Sequence, residues 1–292
     1  MGRKINVEKI KQKGILYLVG TPIGNLKDIT LRAIETLELV DVILAEDTRQ
    51  TVKLLNHFNI EKKMISYHRH NEDQKIEMVV SLLDEGKNVA MCSDAGMPII
   101  SDPGQNLVKY LVENDYKIEV IPGVTALITG IVRSGIDSTR FTFEGFLSIS
   151  KKQRIKRLNE LKDEVRTMIF YEAPHKILYT LKDLYNSLGN RNICICRELT
   201  KMYEEYSNSN VLEAIERIET NGIKGEIVLI VEGRSEVELE EERQKELEKI
   251  DPIDLTKKYI DSGIDKKEAI KKVAKELGVS KNEIYKLCID LE

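Results

Sequence analysis

Four short stretches concentrate side chains able to move protons, hold anions or orient a ligand. AEDTR (45–49) sets Glu46, Asp47 and Arg49 together, YEAPH (171–175) brings Tyr171, Glu172 and His175, and RELTK (197–201) brings Arg197, Glu198 and Lys201. SDAGMPIISDPG (93–104) packs two Ser-Asp pairs, two glycines and two prolines into twelve residues. Carboxylates and imidazoles serve as general acids and bases, and neighbouring cations stabilise developing negative charge. Any one charge cluster is more often a salt-bridged strand terminus than a catalytic site. Three of them, each directly after an apolar β-branched run, point to a shared ligand edge at the C-terminal ends of strands. In the second loop Asp94 is placed to accept hydrogen bonds from a ligand amine or hydroxyl. The competing reading makes Asp94 and Asp102 turn formers and helix caps.

Two further turns follow strands. Gly20-Thr21-Pro22-Ile23-Gly24-Asn25 has the look of a phosphate cradle, but its details argue otherwise. A Walker A loop needs Lys after its last glycine, where this chain has Asn25, and no G-x-G-x-x-G is present. Pro22 also removes an N–H from a turn that should supply several. What remains is a rigid turn whose small residues let a ligand approach, with Thr30 as cap of the next helix. In IPGVTAL (121–127), Thr125 and Ala126 fall at a helix N-terminus, where free N–H groups point at a ligand.

The elements that must position these loops alternate regularly. Strand-like runs at 15–19, 41–46, 64–67, 88–92 and 117–121 are separated by amphipathic stretches. In one of these, Ile76, Val79, Val80 and Leu83 share a face. This alternation predicts an α/β fold with a mainly parallel sheet covered on both faces. A second alternation begins at FTFEGFL (141–147), with strands expected at 166–172, 192–198 and 225–233, and helices ending at Gly189 and Gly222. The expected organisation is a tail (1–13), two α/β domains (14–135 and 136–235), a charged linker (236–250) and a helical unit (251–292). EVELEEERQKELE holds seven glutamates in thirteen residues with no core stripe, hence a solvated connector. The last unit has an apolar stripe over Lys267–Leu277, a turn at Gly278 and a Ser280–Glu283 capping box opening Lys281–Leu291, a helix-turn-helix signature. Its nine acidic residues match its nine lysines, so a strong DNA reader is not expected.

A net charge of −4 excludes bulk attraction to nucleic acid, leaving local patches. KKQRIKR (151–157) is one: Lys151, Lys152, Arg154, Lys156 and Arg157 form either a solvated helix face or an RNA-phosphate patch. No apolar run approaches membrane-spanning length, and the charged N-terminus has no apolar core of a secretion signal. Cys92, Cys194, Cys196 and Cys288 lack metal-knuckle spacing, so reduced thiols in a cytoplasmic protein are expected, and no metal site.

VGTPIGNLKDITLRAIETL, AEDTRQTVKLL, SYHRHNE, SDAGMPIISDPG, PGVTAL, FYEAPHK, RELTK and KGE occur in this order. Together, over roughly Gly14 to Gly233, they closely resemble the ribosomal RNA small subunit methyltransferase I family of tetrapyrrole-methylase-like (class III) methyltransferases. The C-terminal unit is similar to the helix-turn-helix appended to many members. The resemblance implies a bilobal α/β homodimer that binds S-adenosylmethionine between its lobes. It also implies methylation of a cytidine ribose 2′-hydroxyl in 16S ribosomal RNA, either naked or within the 30S subunit. By position, cofactor contacts fall on Pro22, Ile23, Ser93, Asp94, Met97, Thr125, Ala126, Tyr171 and Glu172.

Such a transfer is an in-line displacement in which positioning does much of the work. The sulfonium leaves as a neutral thioether, so no acid is required, whereas the hydroxyl benefits from a base or an alkoxide-stabilising cation. The candidates are Asp47, Asp102 and His175, with Arg49, Arg197 and Lys201 as cations; Arg49, Asp47 and Asp102 are favoured, with Arg49 orienting the RNA phosphate or the alkoxide. A precorrin-type C-methyltransferase is the alternative enzyme, but that branch carries GxGPGD and GDP where this chain has GTPIGN and SDAG. A ligand-sensing DNA-binding regulator using residues 251–292 is the non-enzymatic alternative.

Overall fold

The computed structural model describes residues 12–69 and 71–289, apart from the side chains of Glu246 and Glu248. Most of the expected tail, His70 of SYHRHNE and the end of the expected last helix lie outside the described residues. The first compact unit runs to Lys162 and resumes over Arg166–Glu232, and the second comprises Asp163–Val165 and Gly233–Glu292.

Two five-stranded sheets build the first unit. In the first, β1 (Leu16–Val19), β2 (Val42–Ala45), β3 (Lys63–Ser66), β4 (Val89–Cys92) and β5 (Ile118–Ile121) are all parallel in the order β3-β2-β4-β1-β5. Because side chains alternate along a strand, each strand feeds two cores. Tyr17, Val19, Ile43 and Ala90 pack beneath α1 (Leu31–Leu39) and α2 (Thr48–His57). Leu16, Leu18, Leu44, Val89 and Met91 pack beneath α3 (Glu72–Asp84) and α4 (Gln105–Glu113). Within α3, Val79 and Leu83 are buried, with Ile76 and Val80 packed against the same core. Local chemistry starts the helices as expected: Thr30 accepts the Ala33 N–H at 3.1 Å to cap α1.

The second sheet, β6-β7-β10-β8-β9, contains β6 (Phe141–Phe146), β7 (Thr167–Glu172), β8 (Asn192–Arg197), β9 (Glu205–Asn210) and β10 (Ile227–Val231). Only β6 and β7 run parallel; β10 lies antiparallel to both β7 and β8, and β8 pairs antiparallel with β9. The alternation of segments foretold neither this mixed direction nor β9. EYSNSN has no apolar alternation, because it is an edge strand held by its ladder to β8. The outer face is covered by α6 (Lys151–Glu160), α7 (Ile177–Leu188) and α8 (Val211–Asn221). The inner face is covered by α5 (Ala126–Ser134), although α5 follows β5 of the other sheet. Gly130 makes that packing close: a Cβ there would lie 3.2 Å from Val228 Cγ1.

In the second unit, α9 (Glu236–Glu248) turns the glutamate-rich run into a helix, exposed at most of its described positions. Helices α10 (Pro252–Asp261), α11 (Lys266–Leu277) and α12 (Lys281–Leu287) close around Ile270, Val273, Ala274, Ile284 and Cys288. Gly278 ends α11 at φ 67, and the Ser280–Glu283 capping box opens α12. That helix stops at Leu287, short of the expected Leu291, and Cys288 turns into the core. Among the described residues no helix is long and apolar enough to cross a membrane.

Candidate active site

The C-terminal ends of β1, β2, β4 and β5 carry loops that lock to one another. The Thr21 N–H donates to Gly96 O at 2.9 Å and the Gly96 N–H returns to Thr21 O at 3.1 Å, a two-way bridge between first and second loops. Gly20 faces the third loop so closely that a Cβ would lie 2.7 Å from Gly123 Cα. A Cβ on Gly24 would meet Lys201 Cγ at 2.5 Å, and the Asn25 N–H donates to Thr200 Oγ1 at 3.1 Å. The space these glycines leave is thus filled by other loops of the protein. The expectation that they admit a ligand is corrected accordingly, and of this turn only Ile23 lines the cavity described next.

That cavity, about 420 Å³, opens between the strand-end loops and the second sheet. Its walls are mostly apolar, including Ile23, Met97, Ile100, Ala126, Leu199, Ile227 and Val228, with Phe146 and Tyr171 at one side. Glu46, Asp94, Asp102, Glu172 and Glu226 bring carboxylates to it. Seven of the nine residues expected to contact the cofactor line it: Ile23, Asp94, Met97, Thr125, Ala126, Tyr171 and Glu172. Pro22 and Ser93 do not; Ser93 is buried beneath the loop, its hydroxyl 3.3 Å from Ala95 O. Glu172 lines the cavity with its carboxylate already engaged, accepting the Ala173 N–H at 2.8 Å and the Thr180 hydroxyl at 2.5 Å.

The four acids of this edge differ in proton affinity for physical reasons. Asp102 is pushed up to about 7, first by burial and then by the charge of Glu46, with the Ser93 hydroxyl and Arg69 pulling partly back. Glu46 and Asp94 are also raised, in both cases mainly by burial. Asp47 is held down at about 2 because the Arg49 side chain and backbone N–H both donate to it. Asp47 is the N-cap of α2 and also donates its own N–H to Asp94 Oδ1 at 3.0 Å. It does not line the cavity, and neither does Arg49, whose side chain is 87% exposed.

The other cations offered for alkoxide stabilisation are likewise absent from the lining. Arg197 pairs with Glu205 at 2.8 Å, and Lys201 with Glu198 at 3.0 Å and Glu226 at 2.9 Å. His175 is exposed outside the lining. The loop bearing Asp102 is strained: Ile99 and Ser101 adopt φ 78 and φ 68, unusual for residues with a Cβ and most of all for a β-branched one. Arg69 ties it down by donating to Ser101 O.

The five-residue basic patch on α6 resolves into two kinds of side chain. Arg154 turns inward, its guanidinium 2.7 Å from Asp183, with both side chains about nine-tenths buried. Arg157 is engaged by Glu144 at 2.6 Å and Glu160 at 3.0 Å. Lys151, Lys152 and Lys156 remain exposed. Arg154→Met is therefore expected to destabilise the fold by about 3–5 kcal/mol by stranding the Asp183 carboxylate. Lys152→Ala should leave denaturant midpoints unchanged, and chemical unfolding of both variants checks the contrast.

Sequence reasoning named the loops but missed Glu46 as a cavity residue, although it stands in AEDTR, and missed Phe146, Glu226, Ile227 and Val228. The last Phe of the strand-like run FTFEGFL was the available signal for Phe146, and the KGE motif was the signal for Glu226; Ile227 and Val228 offered none.

Comparison with known proteins agrees with this geometry. The Tetrapyrrole (Corrin/Porphyrin) Methylases family model matches residues 15–215. A relative named Ribosomal RNA small subunit methyltransferase I from Halalkalibacterium halodurans is 49% identical over 276 residues, 94% of each chain. A relative of the same name from Bacillus subtilis is 44% identical over 283 residues, 97% of each chain. Among solved structures, a cobalt precorrin-4 methyltransferase shares the fold at TM-score 0.58 and 17% identity, covering 75% of this chain and 94% of its own. With a parallel and a mixed sheet framing one strand-end cavity, and with identity sustained over nearly the whole length, the chain belongs to the ribosomal RNA small subunit methyltransferase I family of the tetrapyrrole methylases.

Proposed function

We propose that the cavity holds S-adenosylmethionine and that the protein methylates the ribose 2′-hydroxyl of a cytidine in small-subunit ribosomal RNA. The observation that carries this reading is a mostly apolar cavity of about 420 Å³, sized for one small ligand, with Asp102 in its wall, where burial and the neighbouring Glu46 push the carboxyl up to about 7. The fit to the donor is chemical: Ile23, Met97, Ala126, Ile227 and Val228 offer apolar surface to a purine, and Asp94 and Glu46 offer acceptors to hydroxyls or an ammonium. When bound, S-adenosylmethionine supplies an electrophilic methyl group on a sulfonium.

Asp102 accepts the hydroxyl proton, since a base works best with a proton affinity near the working pH. Asp47, held at about 2, is too weak a proton acceptor for that role. Arg49, exposed beside Asp47, meets an RNA phosphate and not the alkoxide, and Lys151, Lys152 and Lys156 extend the phosphate contacts. The substrate is ribosomal RNA, free or within the small subunit, and the protein works as a cytoplasmic homodimer. The names of the relatives support the substrate class.

The test is mass spectrometry of nuclease fragments of small-subunit ribosomal RNA from cells with and without the protein. A ribose methyl missing from one cytidine in the deficient cells is expected. A methyl missing from a base instead would overturn the reading.

A further inference from the structure

Strand β6 breaks its own alternation at the edge of the cavity. Three residues apart on a regular strand, Phe143 and Phe146 would face opposite sides. Here the register against β7 slips between Phe143 and Gly145, and Gly145 takes φ 64, the geometry of a glycine bulge. Both phenyl rings consequently meet Tyr171 edge-on, with centroids at 4.9 Å for Phe143 and 5.5 Å for Phe146. Glu144 is buried and bonded to Arg157 of α6. Tyr171 is itself fixed, its hydroxyl accepting the Leu127 N–H at 3.2 Å.

The two phenylalanines then diverge. Phe143 packs into the core between α5 and the second sheet, whereas Phe146 lines the cavity and stays 56% exposed. A bulge beside a site re-aims a side chain, and this one holds a large apolar ring in water on a rigid aromatic base. From Phe146 the chain passes Ile149, 78% exposed, and reaches the exposed Lys151 and Lys152 at the start of α6. A fixed aromatic face followed by lysines is the make-up of single-stranded RNA sites, where rings stack on bases and cations track phosphates.

We propose that Phe146 is the stacking platform for a nucleobase of the RNA substrate at the cavity mouth, with Lys151 and Lys152 on the adjoining phosphates. This rests on the methyl-transfer reading above. A cavity of about 420 Å³ accommodates one nucleoside-sized donor. The nucleotide that brings its hydroxyl to Asp102 therefore enters past the rim, where Phe146 stands.

The experiment measures methyl transfer to purified small ribosomal subunits by full-length wild type and by Phe146→Ala, Phe146→Leu and Phe146→Tyr. Calorimetric affinity for S-adenosylmethionine and thermal melting are measured in parallel. Loss of a base stack is expected to lower kcat/KM for RNA by about 10- to 100-fold in the Ala and Leu variants. The Tyr variant retains wild-type transfer, and all three retain wild-type melting and donor affinity. Two results would overturn the proposal: an Ala or Leu variant with wild-type kcat/KM, or a parallel loss of donor affinity that assigns the ring to the cofactor. Absence of transfer by the wild type itself would instead refute the methyl-transfer reading, and the platform with it.

Discussion

Asp102→Asn is expected to lower methyl transfer by about 10²- to 10⁴-fold, the usual worth of a positioned general base, while making the protein more stable at neutral pH. The two effects share one cause. Burial and the neighbouring Glu46 raise the folded-state proton affinity of Asp102 from 3.8 to about 7. A raised carboxyl binds its proton more tightly in the folded state than in the unfolded one, so stability falls as pH rises from about 4 to about 7. Above that window the wild type carries the full cost of a half-buried carboxylate, and Asn, which cannot ionise, does not. Melting temperatures of the two proteins should differ most at about pH 8, with Asn higher, and converge towards about pH 4. The wild-type kcat/KM should climb through about 7 as Asp102 deprotonates. A variant with wild-type turnover, or one uniformly less stable, would remove Asp102 from the catalytic role.

Gly20→Ala should damage both stability and donor binding. The added methyl carbon would lie 2.7 Å from Gly123 Cα, 2.8 Å from Gly123 N and 2.7 Å from Met97 Sδ. Two of those atoms are backbone and cannot swing aside. The third belongs to a cavity wall, so its displacement is felt by the ligand. Overpacking of this kind costs about 1–3 kcal/mol, and the three loops bridged through Thr21 and Gly96 should shift together. Gly222→Ala is the control: nothing lies within 4 Å of its added carbon, but φ is 66. It should lose about 1–3 kcal/mol through backbone strain alone, since φ 66 with ψ −178 is open essentially to glycine, and keep donor affinity intact. Denaturant unfolding with calorimetric titration of S-adenosylmethionine reads both. Equal donor affinity in the two variants would show that the loop contact does not shape the cavity.

The contrast between Gly20 and Ile23 shows what could be read from residues alone. A rigid, non-phosphate turn was legible, because Pro22 and the missing lysine are local facts. That Gly20 meets Gly123 and Gly24 meets Thr200 was not, because those partners are brought in by the sheets. The first sheet was legible strand by strand, since each run is apolar and feeds two buried faces. The second was legible only where its strands are apolar: β9 is held by backbone pairing at an edge, and its side chains carry no pattern. Charge was the least readable property. Arg154 and Lys152 stand two apart in one basic run, yet one is buried on Asp183 and the other is free in solvent. Asp47 and Asp102 appeared equivalent as bases until Arg49 was found to hold one near 2 and burial to hold the other near 7.

The central claim is tested most directly by reacting the purified protein with small ribosomal subunits and methyl-labelled S-adenosylmethionine, then hydrolysing the RNA in alkali. Alkaline cleavage needs a free 2′-hydroxyl, so methylation there protects one phosphodiester. The expected result is label confined to an alkali-stable dinucleotide whose first nucleoside is 2′-O-methylcytidine. Label recovered in a mononucleotide, on its base, would contradict the account.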